Sequence, residues 1–174
     1  MRQQKDGLGR RWAAMGTLIV GLLLAGATLP ESPVADAAMN GDLEAVRELL
    51  KEGADVNLAQ GDGMTALHWG AEAGDVEMVG MLLHAGANVK GVTRIGDYTP
   101  LHIASEAGHG EVVRALLEVG ADVEARRAFA GTTPLHLAAA SGSVSSIDAL
   151  VGFGADIDAR EWEWGQTPLI FAAS

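Results

Sequence analysis

Thr99-Pro100-Leu101-His102 returns one fixed step later as Thr133-Pro134-Leu135-His136, and the same step continues in both directions. Thr65-Ala66-Leu67-His68 lies one step before the first of them, and Thr167-Pro168-Leu169-Ile170 lies one step after the second. Ser32-Pro33-Val34-Ala35 is a weaker copy, set one residue closer to Thr65 than the full step. Gly-Ala pairs follow at the same distance inside each of the first four copies: Gly53-Ala54, Gly86-Ala87, Gly120-Ala121 and Gly154-Ala155. A two-part motif held in register over a period of about 34 residues marks a stacked-repeat architecture rather than one closed core.

The chemistry of one copy predicts its shape. Thr99 can cap a helix through its hydroxyl, and Pro100 suits the first helical position, where no N–H is needed. Leu101, Ile103 and Ala104 supply an inner face, and Gly108 is expected to stop the helix in the left-handed conformation. A second helix is expected from about Glu111 to Val119, with Val112, Val113, Leu116 and Leu117 forming one apolar stripe. Gly120 ends it, and an extended finger leads to the next Thr-Pro. A lone helix pair cannot bury its own stripe; stacked pairs bury it continuously. Composition agrees: 48% of residues are hydrophobic but only 5% are aromatic, as for thin helices in close approach. The small residues Gly70-Ala71, Ala104-Ser105, Ala138-Ala139 and Ala172-Ala173 predict that adjacent first helices touch.

The segments TALHWGAEAG, TPLHIASEAG and TPLHLAAASG, each followed by a VxxLL-like helix and GADV or GANV, resemble the ankyrin repeat family. The resemblance covers about residues 32–174. It implies an all-α solenoid of helix-turn-helix-finger repeats, at about 32–64, 65–98, 99–132 and 133–166, with a fifth begun at 167–174. A stack that stops within a helix leaves an apolar face uncapped, so a fragment of a longer chain is expected. In the family the histidine of this motif hydrogen-bonds within its own turn and to a neighbouring repeat. That makes Thr65, His68, Thr99, His102, Thr133, His136 and Thr167 structural, and the histidine ladder is not read as a metal site.

Three fingers, Lys90 to Thr99, Glu124 to Thr133 and Asp158 to Thr167, are one residue longer than Asn57 to Thr65. They hold Tyr98, Phe129, Trp162 and Trp164. Aromatic side chains favour binding hot spots, and the fingers resemble the family's partner-facing edge; packing of each finger on the next is the structural alternative. The expected partner surface comprises Met64, Glu72, Tyr98, Glu106, Phe129, Trp162, Trp164 and Gln166. Glu161 and Glu163 lie in a finger expected to be exposed, away from the burial that tunes a catalytic carboxylate. The serines at 141, 143, 145 and 146 lack the strained turn of a nucleophile. No catalytic residue, metal or cofactor is therefore assigned.

Residues 1–30 differ from the rest. Arg2, Lys5, Arg10 and Arg11 precede an uncharged run from Trp12 to Pro30, most apolar at Leu18–Ala27 and followed by small residues at Ala25-Gly26-Ala27. This order matches an export signal cleaved after Ala27; the same run just reaches the length of a membrane anchor. Arg10-Arg11 fits a twin-arginine leader loosely. The Trp-bearing segment AREWEWGQTPLIFAA adds a resemblance to bacterial exported ankyrin proteins. A periplasmic or secreted location is expected, with inner-membrane anchoring as the alternative. The chain carries a net charge of −11, and residues 31–174 alone carry −14 once the four N-terminal bases and Asp6 are set aside. Such charge disfavours nucleic acid and anionic lipid; solubility is its plain explanation and a basic protein partner the sharper one. Cysteine is absent, which excludes disulfides, thiolate sites and lipid attachment at an N-terminal cysteine. The function expected is an exported protein-interaction module; the alternative is an accessory part of a larger exported enzyme or toxin whose catalytic domain follows residue 174.

Overall fold

The computed structural model describes residues 32–173, so the export segment lies outside the described residues. Among these residues the chain forms nine helices and no strand. They are α1 (Pro33–Met39), α2 (Leu43–Lys51), α3 (Ala66–Ala73), α4 (Val76–His84), α5 (Pro100–Glu106), α6 (Gly110–Glu118), α7 (Pro134–Ser141), α8 (Val144–Gly152) and α9 (Pro168–Ala172). Each odd-numbered helix up to α7 pairs with the even-numbered one after it. The first helices of the pairs, α1, α3, α5, α7 and α9, stack in one row, and α4, α6 and α8 stack in another. This is an all-helical repeat solenoid.

Local chemistry sets the boundaries. Thr65, Thr99 and Thr133 hold extended backbone at the N-caps of α3, α5 and α7, with proline at the first turn of the latter two. Asp42, Asp75 and Ser143 cap α2, α4 and α8 by accepting the N–H groups of Ala45, Met78 and Ser146. Gly108 follows α5 at φ +79°, the left-handed stop expected of it. The second helix of that pair begins one residue earlier than expected, at Gly110. Its cap position is taken by His109, whose Nε2 instead lies 3.0 Å from the Glu72 carbonyl of the preceding pair.

Leu67, Leu101 and Leu135 from the first row meet Val79, Leu82, Val113, Leu116 and Leu150 from the second in a continuous core. The stripe Val112, Val113, Leu116, Leu117 is wholly buried. Gly70 plays a different part from the one expected. A Cβ there would meet Val79 Cγ2 at 3.1 Å, with Leu82 and Met78 close behind. Its small size brings α3 onto its own partner α4, rather than onto the next first helix.

Candidate protein-binding face

Three of the four stacked junctions are pinned by a histidine; the first copy has Ala35 at that position. In the turns at Thr65, Thr99 and Thr133, the threonine N–H donates to Nδ1 of His68, His102 or His136 at 3.2, 3.3 and 3.3 Å. The threonine hydroxyl lies 2.8–2.9 Å from the same nitrogen. Nε2 then faces a carbonyl beyond its own helix pair: Tyr98 at 3.1 Å, Ala125 at 3.1 Å and Gln166 at 3.0 Å. A carbonyl can only accept, so Nε2 carries the proton and Nδ1 does not; all three rings are neutral. Both nitrogens of each ring are thereby occupied. Burial drives their pKa values down, that of His102 to about 4.

The fingers form a second set of links. Four are closed by a backbone bond: Gln60 to Met64, Thr93 to Tyr98, Arg127 to Thr132 and Glu161 to Gln166. Neighbouring fingers are joined by Arg94 N–H to the Asp62 carbonyl at 2.8 Å, Ala128 to Gly96 at 3.4 Å and Trp162 to Ala130 at 2.7 Å. Arg126 bridges two fingers through Gly131 O and Arg160 O, at 2.8 and 2.9 Å. Glu161 departs from expectation. Its side chain is only 4% exposed, and its carboxylate accepts the N–H groups of Glu163, Trp164 and Gln166 at 2.6–2.8 Å. Those bonds, the one from Gln166 foremost, hold its pKa below the usual carboxylate range. An ionised carboxylate that serves as the template of a turn is a structural group.

Four of the eight residues expected to face a partner converge. Met64, Glu72, Tyr98 and Glu106 line one open recess of about 330 Å³ between the fingers and the helices α3 and α5. Asp62, Thr93, Ile95 and Ile103 complete it; none of these four was expected to face a partner, and Ile103 was expected on the inner face of its helix. Asp62 was visible as a departure from the repeat, since the matching finger positions hold Gly96 and Ala130. Tyr98 is half-buried, with the Arg127 guanidinium 3.8 Å from its ring centroid. Burial and the nearby Glu106 carboxylate raise its pKa, against the pull of Arg127.

The other four are not in the recess. Phe129 and Trp164 stand free, 81% and 76% exposed. Trp162 is also exposed, at 61%, and lays its indole over Gly131 of the finger before it, so closely that a Cβ there would run into the ring. Gln166 is half-buried, its N–H given to Glu161 and its carbonyl facing His136. Gln166 therefore binds the stack together, whereas Trp162 both touches the preceding finger and remains open to solvent.

Among the described residues no group of His, Asp and Glu is placed to hold a metal ion. Nor is any helix among them long and apolar enough to cross a membrane.

A family profile described as "Ankyrin repeats (3 copies)" matches residues 12–93, 34–127 and 91–161. The first match begins inside the stretch read from sequence as a leader or anchor. Myotrophin from Xenopus tropicalis is 42% identical over 52 residues, which is 30% of this chain and 44% of that protein. The chain thus spans less than half the length of that relative. The constant repeat step, the threonine–histidine pins and the paired helices agree with the profile across most of the sequence, and the chain belongs to the ankyrin-repeat family.

Proposed function

We propose that this chain is a non-catalytic protein-binding module whose partner lies along the fingers and the first row of helices. The observation that carries the reading is the convergence of Met64, Glu72, Tyr98 and Glu106 in one open recess, with Phe129 and Trp164 exposed on fingers further along the same edge. Exposed aromatic anchors beside a concave, partly apolar site suit a protein partner. Site-specific photo-crosslinking tests it. A crosslinker replacing Phe129 or Trp164 in the full chain is expected to capture the same partner, whereas one at Val144, exposed on the second helix row, captures none. Equal capture from all three positions would overturn the reading.

The module acts, on this proposal, outside the cytoplasm. The support is the charge order of residues 1–30 and the small residues that end their apolar core. The narrower likeness to bacterial exported ankyrin proteins, carried by the Trp162–Trp164 finger, points the same way. Cell fractionation with N-terminal sequencing is expected to find a mature chain beginning at Thr28. A full-length chain retained in the membrane pellet would replace cleavage by anchoring, and a full-length chain in the cytoplasmic fraction would sink export.

A further inference from the structure

We propose that the recess flanked by α3 and α5 receives a lysine or arginine side chain presented by the protein partner, Glu72 and Glu106 meeting its charge while Met64, Tyr98 and Ile103 hold its aliphatic stem. The inference rests on the protein-binding reading above and names the chemistry of the partner at that site.

Three features of the recess select this occupant. Its charge is of one sign: Asp62, Glu72 and Glu106 line it, and no basic residue does. Ion pairs among the described residues join Arg47 to Glu44 and to Glu77, so none of these three carboxylates is neutralised by the protein itself. Arg94, on the adjoining finger, is exposed and pairs with none of them. Secondly, the acidic residues are not clustered on one point. They do not form a group that could hold a metal ion, so a compact divalent cation is poorly served. An organic cation with several N–H donors can reach more than one of them. Thirdly, the remaining lining is apolar, from Met64, Ile95, Ile103 and the ring of Tyr98. A long basic side chain is the protein group that needs both surfaces, methylenes against an apolar wall and a charged end in polar surroundings.

The site is local to one junction. Glu72 and Glu106 occupy the same position of successive repeats, and Ala140 stands there in the next. The guanidinium of Arg127 already lies over the Tyr98 ring, so the charge of the incoming side chain is met by Glu72 and Glu106 rather than by that ring face. Around the recess, the net charge of −14 on residues 31–174 draws a basic partner in before contact.

A random-peptide phage library panned on the full chain tests the inference, with the enriched peptides then measured by fluorescence anisotropy. The expected result is enrichment of peptides sharing a lysine or arginine. Their affinity should fall about tenfold in the doubly substituted Glu72→Gln, Glu106→Gln chain, the size expected for losing two solvent-accessible charge contacts. Norleucine in place of the shared lysine should cost a similar factor. Glu118→Gln, an exposed acid on α6, should leave affinity unchanged, which separates this site from bulk negative charge. Both glutamates are exposed, and unchanged circular dichroism of the double variant confirms that it folds. Enriched peptides without a basic residue, or basic peptides indifferent to the double substitution, would overturn this inference and leave the protein-binding reading standing. Failure to enrich any peptide would overturn both.

Discussion

His102 shows how much one residue carries in this architecture. Its ring is fully buried, it ties the start of α5 to the finger beyond α6, and it is neutral in the fold. Its folded pKa is about 4 against an ordinary value of 6.5. Between those values the unfolded chain binds the extra proton and the folded chain does not, so stability is full above about pH 6.5 and falls as the pH drops toward 4. His68 and His136 are shifted in the same direction. Urea unfolding across this range should show a midpoint that declines with acidity, with a loss on the order of 3 kcal/mol from His102 alone. In His102→Gln that slope should be shallower. Leu116 is a simpler case. It is 0% exposed at the centre of the α6 stripe, and Leu116→Ala should lower unfolding free energy by about 2–5 kcal/mol, measured by denaturant titration at neutral pH.

The elements divide into those that repeat and those that do not, and sequence reads them differently. The helices were legible because period, cap and stop recur: α6 lies within one residue of its expected span, and Thr-Pro marks the starts of α5, α7 and α9. The finger side chains were less so. Glu161 was expected to be exposed because it lies in a finger, yet three N–H groups turn inward onto its carboxylate. Arg127 over Tyr98 joins residues of adjacent fingers, and no local pattern encodes which finger tip meets which. The recess was half legible for the same reason: Glu72 and Glu106 fall on predictable helix faces, whereas Asp62 and Ile95 depend on how two fingers lie together. Trp162 on Gly131 gives the element-scale prediction. Gly131 sits at φ +65°, and a methyl group there would strike the indole. Gly131→Ala should destabilise the chain by about 1–3 kcal/mol, measured by denaturant titration, as the indole is forced off the preceding finger.

Across the whole molecule, stability comes from junctions rather than from a single centre, as expected where each unit touches only its neighbours. The burial pattern follows this. Leu67, Leu101 and Leu135 are at most 3% exposed, but their counterpart Leu169 on α9 is 78% exposed, with no second-row helix over it among the described residues. The same leucine in the same motif is core or surface according to what is stacked upon it.

The finger links all run one way, from the N–H of residue 94, 128 or 162 to the carbonyl of residue 62, 96 or 130 in the finger before. The backbone link of one junction is interchangeable with that of the next. Excising residues 99–132 would join Tyr98 to Thr133, as Tyr98 is now joined to Thr99, and would bring the Trp162 N–H to the Gly96 carbonyl. The shortened chain should still unfold cooperatively on thermal denaturation, but at a lower temperature, because Asp97 then stands under the Trp162 indole where Gly131 does now. What it loses is Glu106 and Ile103, replaced in register by Ala140 and Leu137. Genetic gain or loss of whole modules therefore edits ligand choice while keeping the backbone links of the stack, so length and specificity can evolve on separate tracks wherever the side chains over the new junction fit.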